Sequence, residues 1–371
     1  MAAVTPLRMP KWGLSMQEGR IVSWWKAEGS EITEGEDLVD IETSKITNVY
    51  AAPASGILRR IVAQADETLP VGALIGVLAD AATDDAQIDA FVADFQARFT
   101  PGEDAGEAAG ALTLERIEVD GRTLQVGRAG TESGVPVVLL HGFSGDMNNW
   151  LFNLDALAAV APVVAFDLPG HGGSAKDVGD GSLGALAATI ARALDVMGIA
   201  RAHFIGHSLG AAVAARLVAD APNRAASLTL ICPALLPGTR LNEEFLTGIV
   251  EARRARDVKP YLEMLFADPD LVSKDMIEDM MRFKRLDDVE DALGALRDQL
   301  VSGNDAQALV ADLPRIPAAT VIASRQDAIV GTPDPASLPE GFVVRWIEGA
   351  GHMPHLERSA DVNAILLEQI G

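Results

Sequence analysis

The stretch that decides the fold is AHFIGHSLGAAVAARLVADA, residues 202–221. It begins with a short apolar run typical of a buried strand, turns through Gly206-His207-Ser208-Leu209-Gly210, and continues as an alanine-rich helix. A serine on so tight a turn leaves no room for side chains two positions before and after it, which accounts for Gly206 and Gly210. The order of strand, turn and helix predicts a nucleophilic serine, and a chance serine in a glycine-rich turn is the alternative.

Similar apolar runs recur on both sides of this stretch. Near-continuous apolar runs are typical of strands covered on both faces, and helical patterns separate several of them. We therefore expect a doubly wound, mostly parallel α/β sheet over residues 112–371. The runs are VPVVLL (135–140), PVVAFD (162–167), AHFIG (202–206), SLTLIC (227–232), AATVIA (318–323) and FVVRWI (342–347), and a hairpin about Asp120-Gly121 precedes them.

Residues 239–312 depart from this alternation, because helix-like sequence fills the whole interval between two predicted strands. A long helical insertion of this kind predicts a cap over the sheet. The cap contains two basic clusters, 253–259 and 282–285. They are interleaved with Asp and Glu at helical spacing, which favours a solvated, salt-bridged face over attraction of an anionic substrate such as coenzyme A.

A catalytic serine needs a base, and the base needs an acid that orients it. His352 follows the last predicted strand in a glycine-rich loop that can point an imidazole back over the sheet edge, and Asp327 follows the preceding strand. We therefore expect Ser208, Asp327 and His352 to form a triad. His355 is the rival base, and Asp167, which also ends a strand, is interpreted as a structural turn residue.

The segment His141-Gly142-Phe143 comes directly after an apolar run. A glycine there lets the loop turn so that the backbone N–H of Phe143 points into the site. Together with the N–H of Leu209, it is expected to stabilise a tetrahedral oxyanion. The histidines are accounted for by these loops and the single cysteine, Cys232, falls in a strand pattern, so no metal site is expected.

These motifs together resemble the α/β-hydrolase superfamily over residues 112–371. HGF, DLPGHGGS, GHSLG, Asp327 and GAGHMPHLE match it over nearly the whole stretch. The resemblance implies the fold and the chain order Ser208, Asp327, His352. It leaves the substrate open, because esterases, C–C hydrolases, haloperoxidase-like enzymes and acyltransferases share these motifs.

Residues 1–80 contain short runs rich in Val, Ile and Leu, separated by Gly, Pro and acidic turns, and therefore predict an all-β domain. A shift of 37 residues lays two glycines on two glycines and three apolar residues on three others. The pairs are Gly19 with Gly56, Gly35 with Gly72, Ile21 with Leu58, Leu38 with Ile75 and Ile41 with Leu78. This weak repeat predicts two similar β-halves related by a local two-fold.

Residues 81–111 are expected to be a helix followed by a linker. The helical pattern covers 83–99, with Ile88, Phe91, Val92 and Phe95 on one stripe after an acidic first turn. An apolar stripe must be buried against another surface. We expect this stripe to pack on its own domain, and the alternative is that it binds a partner protein. The segment 100–111, TPGEDAGEAAGA, has only alanine as an apolar side chain and predicts the linker.

The string DIETSKITNVYA (40–51) places Lys45 between two predicted strands. A lysine at a hairpin tip is ordinarily only solvated. However, residues 4–80 resemble the lipoyl domains of 2-oxo acid dehydrogenase acyltransferases, which implies a flattened barrel of two sheets with lipoate amide-linked to Lys45. Biotinyl domains share this fold but usually flank their lysine with methionines, whereas Ser44 and Ile46 stand here, so lipoate is favoured.

The composition excludes several classes of function. There are 30 Lys and Arg against 53 Asp and Glu, a net charge of −23, and an anionic chain is repelled by a phosphate backbone, so nucleic-acid binding is excluded. One cysteine cannot form an internal disulfide and the N-terminus has no signal-peptide pattern, so a cytoplasmic location is expected. No apolar run is long enough for a membrane span.

The two-domain order resembles the acetyltransferase components of acetoin dehydrogenase systems. The resemblance implies that an acetyl group passes from S-acetyldihydrolipoyl-lysine at Lys45, through Ser208, to coenzyme A. It also implies two partners, a thiamine-diphosphate-dependent dehydrogenase component and dihydrolipoamide dehydrogenase. Two alternatives stay open: a serine hydrolase (thioesterase, esterase or C–C hydrolase) tethered to a lipoyl carrier domain, and a scaffold protein in which the hydrolase fold is an interaction module.

Overall fold

A computed structural model describes residues 4–12, 16–43, 47–101 and 112–371. The chain divides into two compact units, residues 1–108 and 109–371. Most of the predicted linker lies outside the described residues, as does Lys45. The elements described in the first unit are β1 (Val4–Arg8), β2 (Glu18–Trp24), β3 (Glu31–Ile32), β4 (Asp37–Glu42), β5 (Thr47–Ala51), β6 (Gly56–Ile61), β7 (Thr68–Pro70), β8 (Leu74–Ala79) and α1 (Asp85–Arg98).

The strands of the first unit form two four-stranded antiparallel sheets, in the orders β1-β8-β6-β3 and β5-β4-β2-β7. Three strands of each sheet correspond under the sequence repeat, since the shift maps β2 onto β6, β3 onto β7 and β4 onto β8. The repeated apolar residues all lie in the core: Ile21, Leu38, Ile41, Leu58, Ile75 and Leu78. Gly35 and Gly72 adopt the same left-handed conformation, with φ of 82° and 85°. The predicted all-β fold is confirmed.

Helix α1 packs on the first unit, as its apolar stripe predicts. Ile88 is fully buried against Leu74, Val77 and Ala79 of β8. Two arginines of β6 also hold the helix: Arg59 pairs with Asp85 at 2.8 Å and Arg60 pairs with Asp89 at 2.5 Å. The helix is therefore part of this unit rather than a free extension of it.

Replacing Ile88 tests this docking. Ile88→Ala removes the buried centre of the contact and is expected to destabilise the unit by about 2–4 kcal/mol, because a cavity replaces a packed side chain. Gln87→Ala changes an exposed neighbour on the same helix and is the matched control. Hydrogen exchange of the α1 amides in the full chain measures the effect. Equal protection in the two variants would contradict the packing described.

The second unit is built on one eight-stranded sheet in the order β16-β15-β14-β13-β11-β12-β10-β9. None of the helices among the described residues is both long and apolar enough to cross a membrane. The elements of the second unit are β9 (Thr113–Val119), β10 (Arg122–Gly130), β11 (Val137–Leu140), α2 (Leu154–Ala158), β12 (Pro162–Phe166), α3 (Leu183–Val196), β13 (Ala202–His207), α4 (Leu209–Asp220), β14 (Ala225–Ile231), α5 (Glu243–Glu251), α6 (Ala255–Glu263), α7 (Lys274–Phe283), α8 (Val289–Ser302), α9 (Asn304–Asp312), β15 (Ala319–Ser324), β16 (Phe342–Ile347), α10 (Pro354–Glu357) and α11 (Ser359–Ile370).

The sheet topology places the predicted motifs along one edge. Strands β11 to β16 are parallel to their neighbours within that set, while the β9–β10 hairpin is antiparallel to β12. The carboxyl ends of parallel strands meet at the same edge, so the loops after β11, β13, β15 and β16 lie along it. Asp120 and Gly121 form the two-residue turn of the hairpin. Both have a positive φ, 50° and 78°, as a type I′ turn requires.

Five helices, α5 to α9, fill the predicted insertion between β14 and β15. Helix α5 packs against α6 and α8, and α6 packs against α7. The last helix, α9, packs on α4 as well as on its neighbour α8, so it joins the cap helices to the helix that follows Ser208. The basic residues of the cap include exposed ion pairs, such as Arg253 with Glu290 at 2.5 Å and Lys259 with Glu263 at 3.0 Å, the arrangement that their spacing favours.

Candidate active site

Ser208 stands at the turn between β13 and α4, with φ of 53° and ψ of −114°. This backbone conformation is strained for a residue with a side chain and persists only where the surroundings enforce it. A Cβ on Gly206 would lie 2.4 Å from the carbonyl oxygen of Gly210, and one on Gly210 would lie 2.1 Å from that of Leu140. Both glycines are therefore required by close backbone packing around the serine.

His352 and Asp327 form a buried pair in which His352 Nδ1 lies 2.8 Å from Asp327 Oδ2. The other carboxylate oxygen, Oδ1, accepts the N–H groups of Ile329 and Val330 at 2.8 and 3.0 Å. Burial alone would raise the pKa of Asp327, but the contact with His352 and the two N–H groups hold it below its ordinary value. An ionised Asp327 keeps the proton on Nδ1, which leaves Nε2 of His352 as the proton acceptor.

His207 links the turn that bears Ser208 to the loop that bears His352. Its Nε2 lies 2.8 Å from the carbonyl oxygen of His352 and donates a proton to it, and the two rings pack with centroids 4.7 Å apart. Burial lowers the pKa of His207 well below its ordinary value, so the ring is neutral. This role is not among those predicted from the sequence. The available signal was a histidine at the second position of the G-x-S-x-G motif.

The loop after β11 borders the nucleophile. A Cβ on Gly142 would lie 3.1 Å from the Cβ of Ser208. Among the hydrogen bonds of the described residues, none uses the N–H of the next residue, Phe143. Leu209 is the first residue of α4, where backbone N–H groups have no acceptor within the helix. The two N–H groups that the sequence predicts for an oxyanion hole are therefore both available.

Comparison with known proteins agrees with this geometry. The model of the Alpha/beta hydrolase family matches residues 137–365, and that of Biotin-requiring enzymes matches residues 5–78. The dihydrolipoyllysine-residue acetyltransferase component of the acetoin cleaving system of Pseudomonas putida is 44% identical over 371 residues, covering 99% of this chain and 98% of that protein. Its counterpart in Cupriavidus necator is 44% identical over 374 residues, with the same coverage. The chain belongs to the family of these acetyltransferase components.

A solved structure shows the same hydrolase fold. The 2-hydroxy-6-oxo-6-phenylhexa-2,4-dienoate hydrolase from Rhodococcus sp. strain RHA1 has a TM-score of 0.62 and 23% identity, covering 70% of this chain and 98% of that one. At this identity the likeness concerns the fold alone. The fold class and the family inferred from the sequence are confirmed.

In this acetyltransferase family member, two buried histidines fix the loop after β11. The N–H of Leu168 donates to Nε2 of His141, and the N–H of Ser144 donates to Nε2 of His171, both at 3.0 Å. Because both Nε2 atoms accept, each ring carries its proton on Nδ1 and donates it to a nearby backbone carbonyl. Burial lowers the pKa of His141 to about 4 and that of His171 well below its ordinary value. The two rings therefore stay neutral and hold the loop.

Asp167 ties the same loop to the segment after β12. Its carboxylate accepts the N–H groups of Met147 at 2.9 Å and Gly173 at 2.7 Å, and the side-chain amide of Gln125 at 3.1 Å. Burial, with a further contribution from Asp146, raises the pKa of Asp167 to about 6. These contacts are those of the structural turn residue that the sequence indicates.

The hairpin strands that flank the predicted lipoyl lysine are well anchored. Glu42 of β4 and Thr47 of β5 form the last pair of this antiparallel ladder, and Lys45 stands between them in sequence. Arg20 pairs with Glu42 at 2.6 Å and with Asp66 at 2.7 Å. The described strands before and after the predicted lipoyl lysine are therefore fixed in their sheet.

One group of side chains in the described ranges has metal-ligand spacing. The ligand atoms of Cys232, Asp327 and His352 all lie within 4.8 Å of one another. Burial, with a contribution from Asp327, raises the pKa of Cys232 well above its ordinary value, so the thiol is protonated. A cysteine binds a metal ion as the thiolate, and the Asp327 carboxylate is already hydrogen-bonded to His352. The group is therefore better described as the acid and base with a neutral thiol beside them.

His355, the rival base, lies in a different environment. Its ring is fully buried between Trp150 and His207, with centroid distances of 5.0 and 4.5 Å. Burial lowers its pKa to about 3. Neither ring nitrogen has a hydrogen-bond partner among the described residues. Because a catalytic base needs a carboxylate that orients it, the geometry favours His352 over His355.

The variant His355→Phe separates the two histidines. The folded-state pKa of about 3 lies below the ordinary value of 6.5, so the contribution of His355 to stability is complete above pH 6.5 and is lost as the pH falls towards 3. Each pH unit in this window corresponds to about 1.4 kcal/mol. Between pH 6.5 and pH 4, the unfolding free energy of the variant should therefore fall by about 3 kcal/mol less than that of the wild type.

The same variant should keep its esterase activity towards p-nitrophenyl acetate. By contrast, His352→Ala should lose on the order of 10³-fold or more, because it removes the base. Chemical denaturation across the pH range and steady-state kinetics give the two readouts. A collapse of activity in His355→Phe at unchanged folding would reverse the assignment of the base.

Proposed function

We propose that this protein transfers an acetyl group from a dihydrolipoyl-lysine at Lys45 to coenzyme A, through an acyl-enzyme at Ser208. The observation that carries the proposal is that one chain combines the paired His352 and Asp327, a strained serine turn and a two-sheet lipoyl-type domain. The full-length identity to two acetyltransferase components supports it. Lipoate bound at Lys45 would supply a dithiol, one sulfur of which carries the acetyl group as a thioester.

In the first step, Ser208 Oγ attacks the carbonyl carbon of the acyl thioester while Nε2 of His352 takes the Oγ proton. Asp327 orients His352 and stabilises the imidazolium that forms. The N–H groups of Phe143 and Leu209 stabilise the negative charge on the carbonyl oxygen. The C–S bond then breaks, and His352 delivers its proton to the leaving thiolate.

In the second step, His352 takes the proton of the coenzyme A thiol, and the sulfur attacks the acetyl carbonyl on Ser208. The same two N–H groups stabilise the second oxyanion. The ester C–O bond breaks, Ser208 Oγ recovers its proton from His352, and acetyl-CoA leaves. Water competes with the thiol at this step, so transfer requires that the site exclude water while it admits coenzyme A.

The chemistry requires two further enzyme activities, which we propose as partners in the complex. One must form the acyl thioester, a role suited to a thiamine-diphosphate-dependent dehydrogenase component that cleaves acetoin. The other must reoxidise the dithiol that remains after transfer, a role suited to dihydrolipoamide dehydrogenase. Membership in a family of acetoin-cleaving components supports a place in such a multienzyme complex.

A tethered serine hydrolase is the second candidate function. It would use the same strained serine turn and the same pair of His352 and Asp327. In this case water, rather than the coenzyme A thiol, attacks the acyl-serine. The two functions have the same first step and differ only in the acceptor.

Acetyl transfer can be tested directly with S-acetyldihydrolipoamide and coenzyme A. We expect acetyl-CoA to exceed free acetate, and Ser208→Ala to lose on the order of 10³-fold or more in rate. Lys45→Arg should abolish transfer in the system assembled with its loading enzyme but should leave reaction with the free donor unchanged. Lys11→Arg is the matched lysine control. The intact mass of the wild type and of each lysine variant shows whether the protein carries a lipoyl group.

Two results would count against the proposal in different ways. A product mixture dominated by acetate at saturating coenzyme A would support the hydrolase. An unchanged rate in Ser208→Ala would exclude the acyl-enzyme for either function.

A further inference from the structure

Glu357 has no part in the proposed mechanism. Its carboxylate contacts two segments of the second unit that are far from each other in sequence. Its Oε1 accepts the N–H of Gly351 at 2.7 Å, and its Oε2 accepts the N–H of Ala267 at 2.7 Å. Gly351 immediately precedes His352, whereas Ala267 lies in the cap between α6 and α7. One carboxylate therefore binds the loop of the base and the cap at the same time.

The two segments are also in direct backbone contact. The N–H of His352 donates to the carbonyl oxygen of Leu265 at 2.8 Å. A Cβ on Gly351 would lie 2.7 Å from the backbone nitrogen of Ala267 and 2.7 Å from the carbonyl carbon of Phe266. Only a glycine allows this approach, so cap residues 265–267 lie directly on the loop of His352.

The backbone of His352 is thus held on two sides. Its N–H binds the cap at Leu265, and its carbonyl accepts the Nε2–H of His207 beside the nucleophile. The contact between the N–H of His352 and Leu265 is kept only if cap residues 265–267 stay in place. The carboxylate of Glu357 is the side chain that fixes this segment, because it pairs the N–H of Ala267 with that of Gly351.

We propose that Glu357 is a positioning residue that fastens cap residues 265–267 to the loop of His352 and so sets the base over Ser208. The inference rests on the triad of the proposed function. It adds that the cap does more than cover the site, since it is one support of the base itself. Removal of the carboxylate leaves two N–H groups in a half-buried site without their acceptor.

The expected effect is on the chemical step rather than on substrate binding. A misplacement of about 1 Å at a catalytic group can cost about 10²-fold in rate. We therefore expect Glu357→Ala to lower kcat by about 10²-fold with little change in KM. Glu357→Gln keeps one acceptor oxygen and should lose less. The matched control is Glu348→Ala, which removes an exposed carboxylate shortly before His352 in the sequence.

The assay uses p-nitrophenyl acetate and the full-length protein, and follows the burst of p-nitrophenolate as well as steady turnover. This readout needs neither lipoate nor coenzyme A, so it tests Glu357 even if acetyl transfer to coenzyme A fails. Thermal unfolding of each variant identifies a simple loss of fold. If Glu357→Ala does not fold, Glu357→Gln carries the test with an expected partial loss of kcat.

Two outcomes would overturn the proposal. One is a kcat in the folded Glu357 variants equal to that of Glu348→Ala. The other is a loss that appears only in KM, which would assign the residue to substrate binding. A graded fall of kcat, from the wild type through Glu357→Gln to Glu357→Ala at constant KM, would support it.

Discussion

Close backbone packing at the nucleophile turn is the constraint on which the rest of the site depends. Gly210 lies so close to the carbonyl of Leu140 that a side chain at that position cannot fit. Strands β11 and β13 can therefore lie side by side with the serine turn at their ends. The strained backbone of Ser208 is held from both sides, since its N–H donates to Ile231 at 2.9 Å and its carbonyl accepts the N–H of Ala234 at 3.2 Å. Rigid neighbours thus enforce a conformation that a flexible loop would relax.

Burial and hydrogen bonding around this turn distinguish one imidazole from the others. His141, His171, His207 and His355 are all fully buried, and burial lowers the pKa of each. Within the described ranges, the hydrogen bond between an imidazole and a carboxylate is found at His352. In the proposed mechanism a proton taken from Ser208 is stabilised on His352, while the neutral rings act as fixed donors and acceptors that shape the loops. Histidines so close in space have different roles because only one has an anionic partner.

The sequence predicts those features that depend on short-range pattern. Strand runs, the Asp120-Gly121 hairpin, the repeat in the first unit and the glycines about Ser208 all follow from local sterics and periodicity. The roles of His207 and Glu357 do not, because His207 bonds to a residue 145 positions away and Glu357 to one 90 positions away. His352 and His355 stand close together in sequence, so only the three-dimensional position of Asp327 distinguishes them. Likewise, helix α9 has the same pattern as the other cap helices, and only the structure shows that it also packs on α4.

The fusion of a carrier domain to this site changes what the site must provide. A donor tethered on the same chain is presented at an effective concentration set by the linker, so the hydrolase unit does not need strong contacts to the donor. The second step of the proposed transfer has no such help, because its acceptor, coenzyme A, is free and anionic and the chain carries a net charge of −23. The proposed transfer also demands that water be kept from the acyl-serine while coenzyme A is admitted. A cap that also supports His352 can meet this demand, since the base is correctly placed only when the cap segment lies on its loop.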